Sequence, residues 1–168
     1  MAVEFIQEDG TGLENSTSYV DEAYYIQYLE NYGYTTSKGG DSILQLLNRS
    51  QLLIEERYWF KGEIVKNTQA LDWPRNRCYT KNNVSIASNE IPKALKDAQC
   101  SIAYQIDLAD EESGEITNPN GEKESYQSQS LGMMSITYNN NSSSNDRGIS
   151  YNTADTLLKP FTDNTYRV

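Results

Sequence analysis

Three kinds of patterning succeed one another along the chain. Residues 1–17 carry no hydrophobic period and read as an extended arm with a turn at Gly10–Gly12. From Ser18, "SYVDEAYYIQYLENYG" takes on a helical period, with Ser18 and Asp21 laid out as a capping box and Gly33 as the stop. Tyr24, Tyr25, Tyr28 and Tyr32 cover much of that helix, so several rings need packing partners. After "SKGG", Leu44, Leu47, Ile54 and Tyr58 recur at helical spacing, flanked by Ile43, Leu46 and Leu53. They predict a second helix ending near Gly62. Residues 63–90 show no period and read as a loop centred on Trp73-Pro74-Arg75.

A third helix is expected from Pro92, which suits a first turn because no N–H is needed there. Its main stripe is Ile91, Leu95, Ala98, Ile102, Ile106 and Ala109, and Cys100, Tyr104 and Leu108 form a second line on the opposite side. One stripe suffices for a surface helix. Two stripes mean either a central helix in a bundle or a helix whose back meets another subunit. Beyond the turn-rich "EESGEITNPN", the period changes to two: Met134, Ile136 and Tyr138 share one face, and Met133, Ser135 and Thr137 the other. The Asn/Ser tract 139–148 reads as a link to a short closing helix with Leu157, Leu158, Pro160 and Phe161. The expected fold is mainly α, a small helical bundle with an inserted β-hairpin or extended β segment. Its parts are an arm (1–17), a helical core with the Trp-Pro-Arg loop (18–110), the β insertion and linker (111–148), and a C-terminal helix and tail (149–168).

Charge narrows the function. The chain has 168 residues and a net charge of −10, with no Lys or Arg before Lys38 and a second acidic run from Asp107 to Glu124. Phosphate-gripping proteins normally show the opposite balance. The bases that exist concentrate at Arg49, Arg57, Lys61, Lys66, Arg75, Arg77 and Lys81. No apolar run reaches the ~20 residues of a membrane span, and no membrane or export role is expected. Cys78 and Cys100 read as free thiols.

Little catalytic chemistry is on offer. The chain has no His, which removes the commonest general base and zinc ligand. Asp107, Asp110, Glu111 and Glu112 miss the spacing of a calcium loop, and Gly10-Thr11-Gly12 lacks the context of a phosphate cradle. No catalytic residue, metal or cofactor is therefore expected. Pro74 fixes the direction of Trp73, which reads as an anchor pinning its loop to the helices, with Asp72 and Arg75 close enough to pair.

Six segments then occur together in order: "EDGTGLENSTSYV", "YWFKGE", "QALDWPR", "IPKALKDAQCSIA", "SQSLGMMSITY" and "LLKPF". They resemble the tailed-phage proteins often labelled DnaT-like single-stranded-DNA-binding, a group similar in turn to head–tail connector (adaptor, head completion) proteins. The connector resemblance implies a homo-oligomeric, dodecameric ring on the phage portal in the virion neck, made in the host cytoplasm and followed by a tail or stopper protein. Duplex DNA would pass through without specific binding, which an acidic wall favours. On this reading Cys100, Tyr104, Leu108, Met134, Ile136 and Tyr138 form subunit contacts. Leu157, Leu158, Pro160 and Phe161 belong to a tail that docks on the portal. Asp110, Glu111, Glu112 and Glu115 face the channel, and Asp72, Trp73, Pro74 and Arg75 are the structural anchor. The net charge favours this structural role, and the alternative is a DnaT-like single-stranded-DNA-binding accessory replication protein using the 49–81 bases.

Overall fold

A computed structural model describes residues 3–112, 129–131, 134–136 and 151–163. Among them the α-helices are α1 (Glu22–Tyr32), α2 (Asp41–Arg57), α3 (Lys93–Glu112) and α4 (Asn152–Leu158), the last running into a 3-10 turn at Lys159–Phe161. Strands β1 (Glu63–Ile64) and β2 (Arg75–Asn76) pair antiparallel within the loop region. Strands β3 (Gln129–Leu131) and β4 (Met134–Ile136) form a second antiparallel pair, with Leu131 opposite Met134 and Gln129 opposite Ile136. The protein is mainly α with a hairpin.

Helix α3 is the centre, packed by α1, α2 and α4. Both of its apolar lines are buried: Leu95, Ala98, Ile102 and Ile106 on one side, Cys100 and Tyr104 on the other. The second stripe is thus covered by the chain itself. Tyr34, just past α1, stacks on Tyr104 with ring centroids 4.5 Å apart. On α2 the buried line is Ile43, Leu46, Leu47, Ser50 and Ile54, while Leu44 is half-buried. The helix ends at Arg57 because Tyr58 turns to extended backbone at φ −111°.

The start of α1 differs from expectation. Its cap is Asp21, whose carboxylate accepts from the Tyr24 N–H at 2.8 Å, and Gly33 closes it at φ 70°. Ser18 is taken by the core instead: its Oγ donates to the Val20 carbonyl at 2.7 Å and accepts from Gln99 Nε2 at 2.8 Å. Gln99 in turn accepts from the Tyr19 N–H and donates to the Leu47 carbonyl, so one amide on α3 ties the Ser18–Tyr19 segment to α2.

The arm is folded back rather than extended, with the Glu8 N–H bonded to the Ser18 carbonyl at 2.8 Å. The buried Glu8 carboxylate explains the Gly-Thr-Gly turn, because it accepts from the N–H groups of Gly10, Gly12 and Leu13 and from Ser16 Oγ, all within 3.0 Å. Gly10 has φ 96°, and a Cβ there would lie 2.1 Å from the Asn89 carbonyl oxygen. Only glycine fits. The anion held by this turn is the protein's own.

Candidate functional site

The Trp-Pro-Arg loop is tied down by nearly every residue of "QALDWPR". Gln69 closes it from inside: Oε1 accepts from the Val65 and Lys66 N–H groups, and Nε2 donates to the Leu71 and Pro74 carbonyls. Trp73 is fully buried, follows into a cis Trp73–Pro74 peptide, and meets Phe60 and Phe161 edge-on at 5.9 and 6.0 Å. Beneath it, Glu55 accepts from the Asp72 N–H at 3.0 Å and from the Tyr19 hydroxyl. The Tyr19 oxygen accepts in turn from the Trp73 N–H at 3.3 Å. Burial, reinforced by the Asp72 charge, pushes the Glu55 carboxyl from its ordinary 4.5 up to about 7. Arg75 spends its guanidinium on the carbonyls of Lys61 (2.8 Å), Gly62 (3.0 Å) and Asp72 (3.1 Å), and pairs with the Asp72 carboxylate at 3.5 Å.

This clamp fixes residues 60–62 against residues 161–162. The Lys61 N–H donates to the Phe161 carbonyl at 2.8 Å, and Phe60 bridges Thr162. Between the two segments opens a cleft of about 530 Å³. Lys61, Arg77, Lys81 and Lys159 line it, together with Tyr79, Thr80 and the apolar edge of Pro160 and Phe161. No carboxylate is among the lining residues. Tyr79 is 49% exposed. Arg77 sits at φ 58°, a left-handed conformation rare for a side-chain-bearing residue, and reaches Glu63 at 3.0 Å. Gly62, at φ 79°, lets the wall close: a Cβ there would lie 2.2 Å from the Asn76 carbonyl oxygen and 2.8 Å from Cys78 Sγ.

Of the seven bases singled out by position, Lys61, Arg77 and Lys81 converge here. The others are occupied elsewhere. Arg49 pairs with Asp110 at 2.8 Å, Arg57 with Asp155 at 3.4 Å, Arg75 is the carbonyl clamp, and Lys66 lies beside the arm turn. Lys159 was missed, since it stands far along the chain inside a segment read only for its apolar residues. Its sole sequence signal is a cation beside Pro160-Phe161.

The remaining expectations fare differently. Cys100 is fully buried and Tyr104 nearly so, which leaves neither an open face for a second subunit, and Leu108 is half-buried. Burial pushes the Cys100 thiol well above its ordinary value. Cys78 is also a buried free thiol, donating to the Lys61 carbonyl at 3.0 Å. Met134 and Ile136 lie in β4, opposite Leu131 and Gln129 of the same chain, and Tyr138 lies outside the described residues. The tail seats on its own core: Leu158 and Phe161 are buried, and Leu157 and Pro160 half-buried. Docking elsewhere would require stripping Phe161 from Trp73. Asp110 is neutralised by Lys38 (3.1 Å) and Arg49 (2.8 Å), whose hydrogen bonds hold it below its ordinary value. Glu111 accepts from Ser37 at 2.8 Å, Glu112 is the last residue of α3, and Glu115 lies outside the described residues.

A second concavity, of about 680 Å³, lies beside α1 and has the opposite character. Asp21, Glu22 and Glu30 line it with Phe5, Ile26 and Leu44, and no cation does. Among the described residues no helix is long and apolar enough to cross a membrane.

The architecture is that of a small helical protein presenting one cationic, aromatic-edged cleft from a rigid loop. The chain belongs to the family described as "Putative DnaT-like ssDNA binding protein", whose model matches residues 3–168. No curated protein and no solved structure matches the chain. The family corrects the expectation of a structural connector, because its description is of single-stranded DNA binding rather than of virion architecture. The physical reason for the error is local. Whole-chain charge is screened beyond about 10 Å at 0.1 M salt, so a cleft acts through the cations within that distance.

Proposed function

We propose that this chain is a non-catalytic single-stranded-DNA-binding protein, and that the strand lies in the cleft between the Lys61–Lys81 loop and Lys159–Phe161. The observation that carries this reading is a cleft lined by four cations and an exposed tyrosine but by no carboxylate, with Arg77 the one of the four in an ion pair among the described residues, to Glu63, in a chain of net charge −10. Lys61, Lys81 and Lys159 make no ion pair among the described residues. Their ammonium groups are available to replace phosphate counterions. Tyr79 offers the π-face on which an unpaired base stacks; in a duplex the base faces are already covered by their neighbours. The Gln69 and Arg75 hydrogen bonds support the same reading, since a wall held rigid before binding loses little entropy when it binds.

The test is fluorescence anisotropy of a labelled poly-dT strand titrated at low salt, with a duplex of equal length beside it. Preferential binding of the single strand, weakening as salt rises, is the expected result. Lys81→Glu with Lys159→Glu should lower the affinity on the order of tenfold or more and flatten the salt dependence by about 0.7 in log–log slope for each cation lost. Absence of wild-type binding at tens of micromolar, or affinity unchanged in the double variant, rejects the assignment.

A further inference from the structure

The chain's two tryptophans have opposite surroundings. Trp73 is fully buried, whereas Trp59 is 52% exposed. The local backbone explains the second. Residues 58–61 run extended from Tyr58, at φ −111° and ψ 137°, and burial alternates along them: Tyr58 and Phe60 are buried, Trp59 and Lys61 exposed. Successive side chains of an extended segment point to opposite faces, so Trp59 and Lys61 share the outer one, about 7 Å apart along the chain. The backbone between them is pinned. The Lys61 N–H donates to the Phe161 carbonyl at 2.8 Å, and the Asp163 N–H donates to the Trp59 carbonyl at 3.1 Å. Between these two bonds Phe60 bridges Thr162 and packs edge-on with Trp73. Trp59 thus presents a half-open indole from a backbone fixed on both sides.

Lys61 also lines the cleft, so the outer face of residues 59–61 carries the cleft wall on to Trp59. The charges around that face divide the work between ring and cations. Asp163 stands opposite Trp59 in the pairing and is exposed, but it is not among the residues that line the cleft. A carboxylate there repels a phosphate beside Trp59, whereas Lys61, Lys81 and Lys159 attract one within the cleft. What suits the indole is therefore an uncharged flat group next to a phosphate. An unpaired base is such a group, and every base offers a π-face to an aromatic ring.

We propose that Trp59 is a base-stacking platform at the edge of the cleft, taking the base next to the phosphate that Lys61 holds. It rests on the single-stranded-DNA reading of the cleft but concerns a residue outside the cleft lining, so the two can fail separately.

The experiment uses the full chain and poly-dT, with anisotropy of a labelled strand and, in parallel, tryptophan emission against the unlabelled strand. Stacking on a base quenches an indole, and of the two tryptophans only Trp59 is open to one. Expected are quenching that follows the anisotropy curve and about tenfold weaker binding for Trp59→Ala. Trp59→Phe, which keeps a ring, should bind nearly as the wild type does but without the quenching. Because Trp59 is half in solvent, both variants should fold, checked by unchanged melting curves; if Trp59→Ala does not fold, Trp59→Phe decides. If the wild type binds with its emission unaltered, if Trp59→Phe is still fully quenched, or if folded Trp59→Ala binds as tightly as wild type, the Trp59 platform is wrong and the cleft stands. If the wild type does not bind, both fall.

Discussion

Two concavities among the described residues invert one another. The cleft beside Lys159 is lined by four cations and no carboxylate, and the groove beside α1 by three carboxylates and no cation. They also differ in construction. The groove is bounded by α1 with Leu44 of α2 and Phe5 of the arm. The cleft is made by irregular backbone that must be held in place: Arg77 at φ 58°, Gly62 at φ 79°, the Gln69 and Arg75 clamps, and Trp73 underneath. The lesson is that a chain of net charge −10 can segregate its charge so that one end attracts a polyanion and another repels it. Total charge governs solubility, whereas the surface within a Debye length governs what binds there.

Truncating the support under each concavity should separate them most. Trp73→Ala removes a fully buried ring that touches Phe60 and Phe161, and is expected to cost about 3–5 kcal/mol in urea unfolding. Ile26→Ala, in the half-buried groove wall, should cost about 1 kcal/mol. Equal losses at the two positions would show that the cleft has no special anchor.

The carboxyl beneath the cleft gives the next largest effect, and it has a definite sign. Folded Glu55 keeps its proton up to about 7, while in the unfolded chain the group ionises near 4.5. The stability this represents is full below 4.5 and is lost as pH rises through about 7, amounting to no more than about 3 kcal/mol. Glu55→Gln should remove that fall. The measurement is the difference in unfolding free energy between variant and wild type from pH 4.5 to 8; a difference independent of pH would mean that Glu55 is not held protonated.

Two smaller changes sharpen the charge contrast. Arg77→Gly relieves a left-handed backbone, worth about 1 kcal/mol, and roughly offsets it with glycine's greater unfolded freedom. Stability should hold within about 1 kcal/mol while poly-dT affinity drops several-fold, which separates a binding role for the side chain from a structural one. Glu30→Lys in the acidic groove should move poly-dT affinity by no more than about twofold, because the groove is not on the strand's path. A tenfold gain there would show that net charge, not the cleft, controls binding.

Much of the fold was legible because helices announce themselves locally. The α2 and α3 stripes, Gly33 as a stop and the period-two run at 134–136 all lie in short windows of sequence. The errors came where a residue's partner is distant. Ser18 has the form of a cap, yet Gln99 recruits it into the core across 81 residues. The second stripe of α3 was open to two readings until Tyr34 was seen to cover Tyr104. Leu158 and Phe161 have the composition of a docking peptide, yet both are buried in the chain's own core, Phe161 against Trp73.

By itself, the sequence determined the helical periods, the lack of histidine and the stop at Gly33, since these are set by composition, covalent geometry and near neighbours. Only the tertiary structure decided which cations meet. Seven bases lie between residues 49 and 81, but three turn into the cleft and are joined by Lys159, while Arg49, Arg57 and Arg75 are held by carboxylates and carbonyls elsewhere and Lys66 lies beside the arm turn. Electrostatic binding depends on distances through space, and the one-dimensional spacing of charges does not contain them.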